Sequence, residues 1–138
     1  MYRSGLVCLI GTTLFFLFAV PAKAQDTLSC TSLDADARIA SCTRIISRRE
    51  SAAAVATAYR YRCGGYNMKA EYDLAIPDCN YAIQYEANPV YAYTLRGAAW
   101  AGKRQLDRAM ADYNRALQLA SNNEERVTGL IGRAGVWR

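Results

Sequence analysis

An internal repeat constrains this chain more than any other feature of its sequence. Residues 56–89 align with residues 90–123 without a gap at a shift of 34, and 11 of the 34 aligned pairs are identical. Chance would give about two identical pairs, and periods of this size are typical of helical solenoids, in which neighbouring units bury each other's apolar faces. The chain is therefore expected to contain two consecutive copies of one structural unit.

Each copy has the apolar spacing of two helices. In the first copy the apolar side chains recur at helical spacing from Val55 to Tyr66 and again from Tyr72 to Ile83. Pro77 lies inside the second of these helices and removes a backbone hydrogen bond at a cost of about 3 kcal/mol, so we expect a kink there or a helix that begins later. Asn88 and Pro89 predict an N-cap and the first residue of the next helix. Small residues are expected where paired helices approach closely, at Ala75, Ala82, Ala109 and Ala116.

The second copy resembles a known repeat family. Its period of 34 residues and its small and aromatic positions resemble the tetratricopeptide repeat, through Gly97, Trp100, Ala109, Tyr113 and Ala116. The resemblance implies an all-α fold, a short right-handed solenoid of antiparallel helix hairpins, with residues 56–89 and 90–123 as its complete repeats. It also implies a concave face lined by the first helix of each pair. The first copy departs from the family pattern at Cys63 and Cys79.

The N-terminus has the layout of a secretory signal peptide. A short basic start is followed by an apolar run from Leu6 to Val20 and by small residues at Ala22 and Ala24, which predicts cleavage after Ala24. We therefore expect residues 1–24 to be removed and the remainder to be periplasmic or secreted, with no membrane contact. An uncleaved membrane anchor and a lipoprotein acylated at Cys8 are the alternatives.

The segments on either side of the two copies are shorter than a full repeat. Residues 25–55 predict an N-terminal loop and one helix, like half a repeat, and Ile39 to Thr43 resembles the entry of small cysteine-containing repeat proteins exported by Gram-negative bacteria. Residues 124–138 predict one further helix, either a capping helix or an incomplete third repeat. In this segment, Arg133, Ala134 and Trp137 are similar in type to Arg96, Gly97 and Trp100, at a spacing of 37.

Four cysteines remain after the predicted cleavage, and an even number in an exported chain predicts disulfides. Cys63 and Cys79 align with Gly97 and Tyr113, so both partners change together between the copies. We infer that these positions face each other and that a Cys63–Cys79 bridge replaces the packing of a ring on a glycine, which leaves Cys30 to pair with Cys42. Four cysteines allow three connectivities, and the other two stay open at this point.

The composition excludes the commonest catalytic and metal sites. The chain has no histidine, and its cysteines form no C-x-x-C pair, so neither a nucleophile with a histidine base nor a zinc site is expected. Carboxylate pairs occur at Asp34 with Asp36 and at Glu124 with Glu125, where helix capping explains them. The predicted mature part has 15 Lys and Arg against 12 Asp and Glu, too mild an excess to indicate nucleic acid. We expect no enzyme activity and no cofactor.

The function expected from these features is binding of a protein. The resemblance places Arg60, Asn67 and Tyr91 on the concave face, and these are the candidate residues for binding a peptide or helix of an unknown partner. The alternative is a structural protein that forms a homo-oligomer through its C-terminal helix, using Leu130, Ile131, Val136 and Trp137. A third class, an enzyme or a protein with a reactive thiol, would require a free cysteine in the exported protein.

Overall fold

The computed structural model describes residues 21–136, which form seven α-helices and no strand. The predicted leader up to Val20, and Trp137 in the C-terminal segment, lie outside these residues. The helices are α1 (Ala22–Cys30), α2 (Ala35–Ser47), α3 (Ala52–Met68), α4 (Tyr72–Tyr85), α5 (Val90–Gly102), α6 (Leu106–Leu119) and α7 (Asn123–Gly135). No helix in the described part of the chain is long and apolar enough to cross a membrane.

The helices stack in chain order as antiparallel pairs. Each helix packs on the next, and the first helices of successive pairs also meet, α1 with α3, α3 with α5 and α5 with α7. The predicted copies correspond to α3 with α4 and to α5 with α6. The expected all-α helical-repeat solenoid is therefore confirmed.

Small side chains line the contacts between helices, as the sequence predicts. Ala75, Ala82, Ala109 and Ala116 are all fully buried. Around Ala75 the core also contains Cys63, Cys79 and Ala99, and the half-buried rings of Tyr66 and Trp100 cover it. Because alanine has no side chain beyond Cβ, it allows the two backbones to approach closely.

The two repeats contain the same tight turn between their helices. Ala70 and Arg104 occupy equivalent positions with φ of 57° and 62°. The next amide reaches back in each turn, from Glu71 to the Tyr66 carbonyl and from Gln105 to the Trp100 carbonyl, both at 2.9 Å. This is the Schellman ending of a helix, made here without glycine.

The N-terminal segment differs from the expected loop followed by one helix. Residues up to Cys30 form α1, which packs on α2, so the first full repeat is preceded by a helix pair. Asp26 of α1 is buried, accepts a hydrogen bond from Arg44 at 2.7 Å and forms an ion pair with Arg48 at 2.6 Å. Only the tertiary structure provides these ion pairs, because α1 alone has a weak apolar pattern.

A later start of α4 and an Asn88 cap on α5 are both wrong, while a kink at Pro77 stays a prediction. Helix α4 begins at Tyr72 and continues through Pro77 to Tyr85, so it does not begin later. Pro77 and Asp73, whose carbonyl loses its amide partner, are both exposed, and water can hydrate that carbonyl. Asn88 does not cap α5, which begins at Val90 after Pro89. The side-chain nitrogen of Asn88 donates to Glu125 Oε1 of α7.

Candidate functional site

The concave side of the stack carries two shallow depressions between the first helices of the pairs. One lies where α3, α5 and α7 meet and has a volume of about 220 Å³. The other lies between α1, α2 and α3 and has a volume of about 270 Å³. Tyr61 lines both of them. We call them the α3–α5–α7 depression and the α1–α3 depression, and together they form the candidate binding groove.

The α3–α5–α7 depression brings together residues from four helices. Two of the three predicted binding residues, Arg60 and Tyr91, lie in it, and the Arg60 guanidinium carbon is 5.8 Å from the centre of the Tyr91 ring. The same carbon is 4.3 Å from the centre of the Tyr61 ring. The remaining lining residues are Arg38, Gly64, Thr94, Leu95 and Thr128.

A buried acid holds Arg60 in place. The Arg60 Nε donates to Glu86 Oε1 at 2.8 Å, and the two side chains are 19% and 10% exposed. Burial raises the pKa of Glu86 above its usual value, and the bond from Arg60 only partly offsets this. Burial lowers the pKa of Arg60, but the hydrogen bond and charge of Glu86 outweigh it and raise this pKa overall. Arg60 is thus a fixed cation with a limited exposed edge.

Tyr91 and Arg38 form the rim of the same depression. The Tyr91 hydroxyl donates to Glu124 Oε1 of α7 at 3.2 Å. Burial raises the pKa of Tyr91, and Glu124 raises it further, so the hydroxyl stays protonated at neutral pH. The Arg38 Nε donates to the Ser32 carbonyl at 2.7 Å, and within residues 21–136 Arg38 forms no salt bridge. Arg38 therefore contributes uncompensated positive charge to the groove.

The α1–α3 depression is mostly apolar. Small and apolar side chains form most of its lining, which also includes Thr57. The lining residues are Thr27, Cys30, Thr31, Ile45, Glu50, Ala53, Ala54, Thr57, Ala58 and Tyr61. The candidate groove thus combines an apolar depression with one that contains arginine and tyrosine side chains.

Asn67, the third predicted binding residue, does not line either depression. Its Nδ2 donates to the Leu95 carbonyl of α5 at 2.7 Å, so it ties α3 to α5. Its Oδ1 is buried without a partner among the described residues. The structure therefore gives Asn67 a contact between repeats, and a direct role in binding stays a prediction.

The four cysteines within residues 21–136 lie in two bonded pairs. Cys30 is joined to Cys42 and Cys63 to Cys79, with Cα atoms 4.9 Å and 5.5 Å apart. In the second repeat the Tyr113 ring lies directly over Gly97, where an added Cβ would be 3.0 Å from Cε1 of the ring. The first repeat thus has a covalent bond at the positions where the second repeat packs a ring on a glycine. No group of His, Cys, Asp or Glu in the described part of the chain is arranged to hold a metal ion.

Sequence reasoning missed three residues that shape the groove. Arg38 belongs to a second helix, which was not expected to reach the concave side. Glu86 and Glu124 bond Arg60 and Tyr91 across 26 and 33 positions of sequence. No local pattern marks such pairs, because they depend on how the helices stack.

Comparison with known proteins supports this fold. No protein-family model matches the sequence. Human RNA polymerase II-associated protein 3 is 35% identical over 69 residues, which is 50% of this chain and 10% of that protein's length. The NMR structure of the first TPR domain of the human RPAP3 protein superposes with a TM-score of 0.65 at 24% identity, covering 84% of this chain and 89% of that one. The chain therefore has the fold of a tetratricopeptide repeat domain, while it spans about a tenth of the curated relative.

Proposed function

We propose that this chain is a non-catalytic interaction module that binds a peptide segment of a partner protein along its concave groove. The observation that carries this proposal is the position of Arg60 and Tyr91 together in the α3–α5–α7 depression, beside the apolar α1–α3 depression. The tetratricopeptide-like fold supports it, since such solenoids present their first helices as a continuous binding surface.

The groove suggests the chemistry of the peptide. Arg38 places uncompensated positive charge at one depression, while Glu86 balances the charge of Arg60, so an acidic side chain or a terminal carboxylate fits beside Arg38. The Tyr61 and Tyr91 rings offer rigid contact area beside that charge. An apolar side chain of the same peptide would enter the α1–α3 depression, whose wall includes Thr57.

A peptide library displayed on phage tests this function. Peptides selected on the oxidised protein should contain an acidic residue near an apolar one. Their affinity should fall about tenfold or more in the Tyr91→Ala variant and in the Arg38→Ala variant, because each removes about 1.4 kcal/mol or more from a hot spot. Fluorescence anisotropy with labelled peptide measures the loss.

Matched control variants lie outside the groove. Arg49→Ala removes an exposed cation between α2 and α3, and Gln84→Ala truncates an exposed side chain of α4. Both should bind the selected peptides as the unmodified protein does. If the selected peptides bound equally well to the Tyr91→Ala and Arg38→Ala variants, the binding surface would lie elsewhere and the proposal would be wrong.

The proposed setting is the periplasm or the extracellular space. The leader-like N-terminus supports export, and two cysteine pairs at bonding distance suit an oxidising compartment. Covalent bonds within the α1–α2 pair and the α3–α4 pair would keep a short solenoid rigid, which reduces the entropy lost when a peptide binds.

A further inference from the structure

Arginines at equivalent positions of α3 and α5 form a repeated bridge across the stack. Arg62 donates from Nε and Nη2 to the two oxygens of Asp78 at 2.7 Å and 2.9 Å. Arg96 does the same with Asp112, at 2.8 Å and 2.7 Å. In both repeats the carboxylate comes from the second helix of the arginine's own pair, and it is almost completely buried.

The third nitrogen of each guanidinium, Nη1, donates a hydrogen bond to a residue of the preceding helix pair. Arg62 Nη1 donates to Thr43 Oγ1 of α2 at 3.1 Å, and Arg96 Nη1 donates to Asn80 Oδ1 of α4 at 2.7 Å. Each arginine therefore joins two second helices, the one before it and its own. The planar fork of arginine suits this double contact, since two nitrogens serve one carboxylate.

Arg133 of α7 forms half of the same bridge. Its Nη1 lies 3.4 Å from Asn114 Oδ1 of α6, the residue equivalent to Asn80. Among residues 21–136 no carboxylate pairs with Arg133, so its Nε and Nη2 lack the partner that Asp78 and Asp112 provide. The spacing of 37 between Arg96 and Arg133 thus has a structural counterpart.

The face of α7 next to Arg133 is apolar, and no other residue in the described range 21–136 covers it. Val127 is 52% exposed and Leu130 is 45% exposed, and Ala134 is also exposed. At the same spacing of 37 they correspond to Val90, Tyr93 and Gly97, which share one stripe of α5. Val90 is fully buried, and Gly97 is covered by Tyr113 of α6. The α7 stripe, which we call the end face (Val127, Leu130, Arg133 and Ala134), therefore matches the stripe that a second helix covers.

We propose that the end face binds an amphipathic helix of a partner protein that carries a buried carboxylate between small residues. Within the chain, α4 and α6 are the helices that supply the carboxylate to Arg62 and Arg96. They share the pattern Ala-x-x-Asp-x-x-x-Ala, as Ala75, Asp78 and Ala82 in α4 and as Ala109, Asp112 and Ala116 in α6. The aspartate would accept bonds from Nε and Nη2 of Arg133. The alanines would allow the helix to approach α7 closely, over Leu130 and Ala134.

The charge of α7 argues against a second copy of the chain as the occupant. Arg126 and Arg133 flank Leu130 on the exposed side. The acids of α7 are engaged elsewhere, since Glu124 accepts from Tyr91 and Glu125 accepts from Asn88 and Ser121. Two copies paired through α7 would place arginine against arginine without a compensating carboxylate, whereas an acidic helix is complementary.

A peptide with the sequence of residues 106–119 is the probe for this site. It is capped at both ends, labelled with a fluorophore and titrated with the full chain in its oxidised form. We expect saturable binding. The affinity should fall about tenfold or more when the peptide carries Asp112→Asn or when the protein carries Arg133→Gln. Combining both changes should cost little beyond either one, because they remove the same interaction.

The controls separate the end face from other surfaces. Leu130→Asp should abolish peptide binding, whereas Leu33→Asp and Arg49→Gln, at exposed positions in the N-terminal part, should not alter it. Circular dichroism of each variant checks folding, and the peptide variant leaves the protein unchanged. Absent binding, or binding unaffected by Arg133→Gln and Leu130→Asp, would overturn the proposal. A dimer that Leu130→Asp dissociates, with no peptide bound, would instead assign the end face to a second copy.

Discussion

At the scale of single residues, equivalent positions in the repeat have different roles. Asn122 caps α7 by accepting from the Glu125 amide at 2.9 Å, whereas its equivalent Asn88 caps nothing and donates from its side chain to Glu125 Oε1, also at 2.9 Å. Glu125 Oε2 accepts from the Ser121 amide at 2.6 Å and from its hydroxyl at 3.0 Å. One buried carboxylate therefore joins the loops before α5 and α7.

The Glu125 network predicts a pH dependence of stability. The backbone hydrogen bond from Ser121 is the largest cause that lowers the pKa of Glu125, and burial opposes it. Because the folded-state pKa lies below the unfolded value of about 4.3, this stability is fully present above pH 4.3 and is lost as the pH falls through the folded-state pKa. The Glu125→Gln variant should have a lower Tm at pH 7, and the difference from the unmodified protein should shrink below pH 4.3. Thermal unfolding followed by circular dichroism from pH 7 to pH 2 measures both curves.

The neighbouring Glu124→Gln variant is the matched control, since Glu124 is exposed and, among the described residues, its carboxylate accepts only from the Tyr91 hydroxyl. Its backbone carbonyl accepts from the Thr128 hydroxyl, which the substitution leaves in place. Its Tm should follow that of the unmodified protein over the same range. A constant difference between Glu125→Gln and the unmodified protein at every pH would show that the ionised carboxylate contributes nothing.

At the scale of helices, the two repeats hold their pairs together by different means. A ring over a glycine joins α5 to α6, and a disulfide joins α3 to α4. Cys63 and Cys79 are fully buried beside Ala75, in the middle of the stack. Helix α1 depends on Cys30 and on the ion pairs of Asp26, which lie after the predicted cleavage point and would be retained once residues 1–24 are removed.

Removal of the central disulfide should destabilise the whole stack. The Cys63→Ala, Cys79→Ala double variant should lose about 3 kcal/mol of unfolding free energy, because the bond closes a loop of 16 positions in the unfolded chain. Urea unfolding followed by tyrosine and tryptophan fluorescence measures the loss. We expect one cooperative transition, since α3 and α4 contact the pairs on both sides.

The Cys30→Ala, Cys42→Ala double variant is the comparison. In this variant α1 should detach from α2 before the rest of the stack unfolds. The hydrogen-exchange rates of the amides of residues 25–30 should therefore increase more than those of α5 and α6. If the oxidised and reduced proteins unfolded at the same urea concentration, the disulfides would not contribute to stability.

At the scale of the whole molecule, residues 21–136 form a stack of three helix pairs followed by α7. Such an array is stabilised mainly by contacts between neighbouring pairs, so a further helix that packs on α7 would extend it. The concave groove and the end face are separate surfaces. The groove is formed mainly by α1, α3, α5 and α7, whereas the end face lies on α7 beyond the last helix pair. A partner could occupy either without blocking the other.

The setting of the whole molecule is tested by the intact mass of protein recovered from the periplasm. We expect loss of residues 1–24, no alkylation before reduction and addition of four alkyl groups after reduction in denaturant. Protein retained in the cytoplasm is the control, with the leader attached and its thiols open to alkylation. Periplasmic protein that keeps its leader would indicate a membrane anchor, and alkylation before reduction would indicate a free, reactive thiol.

The sequence by itself determined the repeat, the helix pairs and the alanines between them, because these follow from spacings of 3 to 4 residues within a helix and of 34 residues between copies. It also indicated the partners Cys63 and Cys79, since two equivalent positions changed together. Only the tertiary structure decided that residues before Cys30 form a helix, that Arg60 is held by Glu86, and that Arg133 repeats the contact of Arg96. Those features depend on contacts between side chains of different helices, which form only when the helices stack. No local sequence pattern indicates such contacts.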